Sequence, residues 1–183
     1  MNSLRKKQII LAVSLVAVLG LAGCSSTPSS GISDPKVDLV AEVKGSAQNL
    51  LSGLTLQSKK PLLAVSFANI DNLEQSSTLG RILGEQYSSA LTSNGIKMIE
   101  VKLSNQLYIS KGTGELMLSR DLKKLVNDYE AQAVLVGTYA QGGTNIYVTS
   151  RIIDIDDNTV IAADNMTLPI NKDIRAMMPR KRY

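Results

Sequence analysis

Ala133-Val134-Leu135-Val136-Gly137-Thr138-Tyr139 is the most apolar strand candidate beyond the first two dozen residues. A short apolar run between turn residues reads as a buried strand. A meander comes next. Gln141-Gly142-Gly143-Thr144 is a turn, and Asn145 to Asp154 comes back as a strand. Ile146, Val148 and Ile152 share one face of that strand, and Tyr147, Thr149 and Arg151 alternate onto the other. Asp156-Asp157-Asn158 is a hairpin turn, and Thr159 to Thr167 returns as the last strand. Asp154, Asp156 and Asp157 crowd one turn. The segment lacks the glycine and distal glutamate of a calcium loop, so the acids are read as turn chemistry.

Upstream, helices and strands alternate. Ser33 or Asp34 caps a first helix with Pro35 in its first turn. Val37, Val40, Val43, Ala47, Leu50, Leu51 and Leu54 recur at three- and four-residue steps along it. Pro61 opens a buried strand, Leu62 to Ala68. The polar stretch Asn69 to Ser77 is a loop, and it reaches a cap at Ser76, Ser77 or Thr78. A helix then runs to about Ser93, burying Leu79, Leu83, Tyr87, Ala90 and Leu91, and stops at Asn94-Gly95. Gly80 and Gly84, one turn apart, let that helix approach a sheet closely. Ile96 to Leu103 is a further strand, and Ser104 to Gly114 is irregular. Its Lys111-Gly112-Thr113-Gly114 is a turn; the glycines are too few and wrongly spaced for a phosphate loop. A third helix starts near Ser119, with Leu122, Leu125, Val126 and Tyr129 as its stripe. Alternation first and a meander last predict an α/β (α+β) two-layer sandwich, with a mixed sheet of about five strands and helices on one face. The other face is left wet or for a partner. There is no internal repeat.

The beginning of the chain is of another kind. Arg5-Lys6-Lys7 precedes an apolar run from Ile9 to Leu19, broken only by Ser14, and then Leu21-Ala22-Gly23-Cys24. A charged start, an apolar middle and small residues at the end make a signal peptide. The run is about half the ~20 residues a bilayer span requires. Leu-Ala-Gly-Cys resembles the bacterial lipobox. That resemblance implies diacylglycerol on the Cys24 thiol, cleavage before Cys24 and acylation of the new amino terminus. No other cofactor is expected. Ser25 after the cysteine, where an aspartate would resemble an inner-membrane retention signal, resembles lipoproteins sorted to the outer membrane. The expected organisation is a signal peptide over 1–23, then lipidated Cys24 with a flexible tether over 24–33. A single domain over 34–169 and a basic tail over 170–183 complete it.

Without residues 1–23, 160 of the 183 residues remain, enough for one domain. The signal removes three basic residues and no acidic ones, so 17 basic face 16 acidic. Nothing in that balance asks for nucleic acid. The small excess sits at one end: Lys172 to Arg182 holds five basic residues and one acid. Ile174, Met177 and Met178 look too few for a further core element, and Pro179 breaks a helix begun there. Arg180-Lys181-Arg182 is read as a mobile terminus or as an electrostatic contact with an acidic neighbour, either anionic lipid or protein. The chain has no histidine and one cysteine, which excludes His-dependent general bases, zinc sites and, with Cys24 lipidated, thiol nucleophiles and internal disulfides. Asp71, Glu74, Glu85 and Glu100 are carboxylates that form no persuasive acid/base pair. The expectation is no enzyme, no catalytic residues and no metal.

A set of short motifs in order carries a family resemblance. Val65-Ser66-Phe67 ends a strand, Leu73-Glu74 and Ser76-Ser77 come after it, and Leu79-Gly80-Arg81 opens a helix. Gly95, Glu100-Val101, Gly114-Glu115, Leu118-Ser119-Arg120-Asp121, Val134 to Tyr139 and the Val148/Arg151 strand complete the set. Together they resemble the FlgO-type outer-membrane lipoproteins of polar-flagellated Gram-negative bacteria, over roughly residues 60–168. Ile96 departs, where an aromatic is expected after the glycine. The first helix and the basic tail lie outside the resemblance. It implies an accessory role in the flagellum at the outer membrane, anchored by lipid and facing the periplasm. Basal-body or other envelope proteins would be the partners, in a ring-like homo- or hetero-oligomer if one forms. It carries no catalytic residues. The element order also resembles lipoproteins that activate peptidoglycan synthases and the amino-terminal domain of TolB-like proteins, a fold-level analogy. The candidate partner surface is the loop after the first strand, with Asp71, Leu73, Glu74 and Arg81, because open α/β sheets place sites at the carboxyl ends of strands.

Overall fold

The computed structural model describes residues 33–56, 59–73, 76–101, 108–109, 117–118 and 120–179. The Leu21–Cys24 motif, the Lys111–Gly114 turn, Glu74 and Arg180–Arg182 lie outside the described residues. In chain order the elements are α1 (Leu39–Leu51), β1 (Leu62–Ala64), β2 (Ala68–Asn69), α2 (Thr78–Ser93), β3 (Met98–Glu100), β4 (Tyr108–Ile109) and β5 (Met117–Leu118). Then come α3 (Arg120–Asp128), β6 (Ala133–Gln141), β7 (Asn145–Asp154), β8 (Val160–Pro169) and α4 (Lys172–Met177).

The stretch Ala133–Tyr139 lies at the centre. It belongs to β6, which is buried at its first seven positions. β1 pairs with it in parallel, Leu63 opposite Val134, and β3 pairs in parallel with β1, Leu63 opposite Ile99. β7 runs antiparallel on its other side, Leu135 opposite Ile152, and β8 lies antiparallel to β7, Val148 opposite Met166. The order is β3-β1-β6-β7-β8, with β2 paired to the far end of β6, in a six-stranded mixed sheet. A separate two-stranded ribbon joins β4 and β5. The mixed α/β class predicted from element order is what the chain adopts.

The layers differ from the expectation in one respect. α1, α2 and α4 cover one face, where Leu62, Ala64, Leu135, Tyr139, Ile146, Val148, Ile152 and Leu168 join their apolar stripes. α3 covers part of the opposite face: its Leu122 and Val126 pack with Leu63, Val65, Val134, Val136 and Ile153. The reason lies in the strands. β1 and β6 are apolar at consecutive positions, so both of their faces need cover. β7 and β8 alternate, and their second face stays open, with Tyr147 56% exposed.

The carboxyl end also corrects the sequence reading. Residues 170–178 are no tail. Ile170 is 8% and Ile174 1% exposed, both in the main core, with Met177 and Met178 packed against it. Asn171 caps α4, its side chain accepting from the Ile174 N–H at 2.8 Å. Two isoleucines, a cap and two flanking methionines suffice because the groove they fill already exists. Asp34 meets the same helix: its Oδ2 accepts from the Lys172 N–H at 3.0 Å.

Local signals explain the helix ends. Asp38 caps α1 by accepting from Ala41 N–H at 3.0 Å, and Ser77 caps α2 by accepting from Gly80 N–H at 2.9 Å. Gly95, with φ +85°, closes α2 in the left-handed region. Gly80 and Gly84 serve close packing. A β-carbon on Gly80 would overlap the Phe67 carbonyl oxygen, and one on Gly84 would stand 2.8 Å from that of Val65.

Candidate functional site

The carboxyl edge of the parallel strands is where the chain gathers its unusual features. Beyond β1 the backbone leaves the sheet at Val65–Phe67 and is held against α2. The Phe67 N–H donates to Gly80 O at 2.9 Å. The Phe67 ring fills the space over Gly137 on β6 and stacks on Tyr87, centroids 4.9 Å apart. β2 then adds to the end of β6, and Ile70 N–H donates to Tyr139 O at 3.0 Å.

The loop from Asn69 is pinned at both ends. Asn69 Oδ1 accepts from the Asp71 N–H at 3.0 Å, and Asn69 O accepts from Asn72 N–H at 3.1 Å. At the far end Ser77 is buried and takes two hydrogen bonds on one hydroxyl: from Gly80 N–H, and from Tyr139 Oη–H at 2.6 Å. Burial pushes the Tyr139 phenol above its ordinary value, and the Ser77 bond offsets part of that rise. Between these pins the loop presents Ile70, 53% exposed, beside exposed Asp71 and half-buried Leu73. Arg81, exposed on the first turn of α2, donates to Ser76 Oγ at 2.8 Å and to Thr78 Oγ1 at 3.2 Å. Asp71 and Leu73 stand on the loop itself, and Arg81 stands on the first turn of the helix that follows it. Ile70 was missed; an isoleucine inside a polar loop was the signal.

A second polar constellation was not foreseen. Ser46 on α1 lies between the Tyr87 hydroxyl and Asp164 Oδ2, 2.5 Å from each. Asn49 Nδ2 donates to Asp164 Oδ1 at 3.2 Å, and Ser150 Oγ donates to the Asp164 carbonyl at 3.2 Å. Burial raises the Tyr87 phenol's pKa; bonds to Ser150 and Ser46 pull it back, and the Asp164 charge adds to the rise. This network floors a cleft of about 420 Å³ between α1 and β8, whose walls include Glu42, Asn49, Asn165 and Thr167. An acid at Asp164, on the face that also carries Ala162, Met166 and Leu168, was the available clue. The carboxylate and hydroxyls there satisfy one another and tie α1 to the sheet, which is structural work.

The acids of the β7–β8 turn act on their own backbone, as expected. Asp154 Oδ1 accepts from Asp156 N–H at 2.8 Å. Asp157 Oδ1 accepts from the Thr159 hydroxyl at 2.7 Å and its N–H at 2.9 Å, which lowers the Asp157 pKa, the hydroxyl first. Among the described residues no group of three His, Cys, Asp or Glu could hold a metal ion. No helix of the described residues is long and apolar enough to cross a membrane.

The fold and the sequence agree with known proteins at two levels. In fold the chain is similar to a small mixed α/β domain. The LpoB C-terminal domain from Salmonella enterica superposes with a TM-score of 0.53 at 15% identity, over 73% of this chain and 100% of that one. The LpoB C-terminal domain from Escherichia coli gives 0.48 at 18% identity, over 72% and 98%. The PelC L103M dodecamer from Paraburkholderia phytofirmans gives 0.45 at 17%, over 64% and 77%. No curated protein matches the chain in sequence. The FlgO protein family matches residues 44–173, well over half of the chain, and the chain belongs to that family. The match starts inside α1 and ends inside α4. It is wider at both ends than residues 60–168, because both helices are part of the domain's core.

Proposed function

We propose that this protein is a lipid-anchored accessory component of the bacterial flagellum at the outer membrane, acting through protein–protein contacts. The observation that carries the reading is one combination: a FlgO-family domain over residues 44–173, preceded by Leu21-Ala22-Gly23-Cys24. Family membership together with an LpoB-like fold supports an envelope lipoprotein. The flagellar assignment draws on the family alone. The Cys24 thiol takes diacylglycerol and the ten residues from Cys24 to Ser33 tether the domain on the periplasmic side. The chain binds and does not catalyse. The surface offered to a partner is the loop with Ile70, Asp71 and Leu73, together with Arg81 on α2 and Glu74, which follows Leu73 in the sequence. The backbone from Asn69 to Asn72 is held by hydrogen bonds, which lowers the ordering entropy that binding costs there.

Deleting the gene and scoring swimming, filament number and basal-body structure tests the reading. Reduced motility with incomplete or unstable basal bodies is expected; normal swimming with normal basal bodies rejects it. A second reading is a lipoprotein that regulates a peptidoglycan synthase. It has the fold-level likeness behind it and would show as recovery of a synthase with the tagged protein. Flagellar genes beside this one favour the first reading, and cell-wall genes the second.

A further inference from the structure

We propose that the free edge of β8 is a strand-addition site for an extended basic segment of a partner protein. The segment pairs with the backbone of Ala163, Asn165 and Thr167 and sends its lysines or arginines into the cleft between α1 and β8. This surface is separate from the loop after β2 and rests on no reading of the lipid anchor or of the flagellum. β8 ends the sheet, paired to β7 alone among the described residues. The Ile170 N–H donates to Thr144 O at 2.8 Å. Antiparallel ladders alternate, so the register puts the hydrogen-bonded pairs at Ile146/Leu168, Val148/Met166 and Ser150/Asp164. The Ser150 hydroxyl, donating to the Asp164 carbonyl, agrees with that alternation. Ala163, Asn165 and Thr167 lie between these pairs, and their N–H and C=O groups point outward. No turn or loop bond among the described residues reaches them.

Sheet edges are normally guarded by an outward lysine, a proline or a bulge that turns the edge away. β8 has ten residues and no lysine, and its one proline, Pro169, is the last of them. The register shift lies opposite Val160 and Ala162, before the outward run begins. The single charge, Asp164, faces α1, where Ser46 and Asn49 donate to it. The edge is therefore open from Ala163 to Thr167, four steps of ~3.4 Å or about 14 Å. The space beside it is open too. The cleft of about 420 Å³ is lined there by Ala41, Glu42, Gly45 and Asn49 of α1 and by Asp164 and Asn165 of β8. Nothing stands within 4 Å of the missing β-carbon of Gly45. Asn165 turns its side chain to the opposite face, accepting from Thr149 Oγ1 at 2.8 Å, so its backbone is what borders the cleft. Charge decides the occupant. The lining carries two carboxylates, Glu42 and Asp164, and no lysine or arginine. An added strand points every second side chain to the cleft side, where a cation is attracted and an anion repelled. The main-chain bonds supply affinity, and the cleft selects the side chain.

The test uses the full chain purified in a non-ionic detergent and two dye-labelled synthetic peptides of about eight residues. One alternates threonine with lysine, and the other alternates threonine with glutamate. Binding is read by fluorescence anisotropy and located by hydrogen exchange of residues 160–169. The lysine peptide should bind and slow exchange of that segment, and the glutamate peptide should do neither. Glu42→Gln should weaken binding by about two- to fivefold, the range of one exposed ion pair, and about 1 M salt should weaken it as well. Thr167→Pro removes an outward N–H that the sheet does not use, so it should abolish binding with Tm kept. Gly45→Leu fills the cleft from α1 without touching the backbone of β8 and should abolish binding too; it is the second variant in case Thr167→Pro folds poorly. A lysine peptide that does not bind overturns the proposal, as does equal binding of the two peptides. Binding that leaves exchange of residues 160–169 unchanged overturns it, and so does a folded Gly45→Leu chain that binds as the parent does. Protection of residues 160–169 that grows with protein concentration and needs no peptide would give the edge to a second copy of the chain and overturn the basic partner.

Discussion

At the scale of single residues, glycines and hydroxyls set the tolerances. Gly80 has the Phe67 carbonyl where a β-carbon would go, and its own carbonyl accepts the Phe67 N–H. Gly80→Ala should push α2 off the sheet and cost about 1–3 kcal/mol, a fall of several degrees in Tm. Gly45 has nothing within 4 Å of its missing β-carbon and sits exposed in mid-helix. Gly45→Ala should therefore stabilise by about 0.5–1 kcal/mol, since a free glycine costs that in a helix interior. Thermal melts of the two variants check the pair; equal effects would mean that α2 does not pack as described. Tyr87 supplies a pH signature. Its folded pKa is raised above the unfolded value near 10, so its protonated form is favoured in the fold. The folded chain then holds more protons than the unfolded one above pH ~10, and stability falls from there up to the folded pKa. Tyr87→Phe should shallow that alkaline decline relative to the parent, while lowering stability at neutral pH by about 1–2 kcal/mol through the lost hydroxyl bonds. Urea midpoints measured from pH 7 into the alkaline range, about pH 11, report both. A decline of unchanged steepness would show that Tyr87 titrates as it does in the unfolded chain.

At the scale of elements, periodicity carried most of the fold. β7 showed its two faces through Ile146, Val148 and Ile152 against Tyr147, Thr149 and Arg151, and the burial keeps to that division. The Ser77 cap and the Gly95 stop framed α2. Two things were not legible. The side of the sheet that α3 takes depends on the crossover, which no local pattern records, although the unbroken apolar run of β6 hinted at cover on both faces. The role of α4 depends on its packing against α2, about 80–100 positions earlier, so Ile174 carried no local signal. The site divides the same way. Asp71 and Arg81 could be placed by reasoning about strand ends, whereas the Ser46–Tyr87–Asp164 network joins three distant elements and could not. The corrected boundary makes a prediction. Among the described residues, truncation after Met178 removes only Pro179, which belongs to neither core cluster, and it should leave stability within about 0.5 kcal/mol. Ile174→Ala should cost about 2–5 kcal/mol, because the side chain is 1% exposed. Equal stability of Ile174→Ala and the parent would return α4 to the status of a tail.

At the scale of the whole molecule, the question is which attachment holds the protein at the membrane. Each buried methylene of an acyl chain contributes ~0.8 kcal/mol, and a single myristoyl-length chain gives only marginal binding, while two or more hold stably. On the proposed reading, diacylglycerol on Cys24 with a further acyl group on its amine would be an anchor of the stable kind. A basic residue near an anionic surface contributes about 1 kcal/mol, screened within ~8 Å at physiological salt. The three charges Arg180, Lys181 and Arg182 add ~3 kcal/mol at most, before the ordering of the segment is deducted. The two devices should thus fail differently. Truncation after Met178 should leave the protein in the outer-membrane fraction, including after a high-salt wash. Cys24→Ser should abolish labelling by radioactive palmitate, block processing before residue 24, and remove the protein from the outer-membrane fraction. Motility should then fall about as far as in the deletion strain if the anchored position is what the flagellum needs. A Cys24→Ser protein that still fractionates with the outer membrane would show that a contact of the folded domain, and not the lipid, dominates its placement.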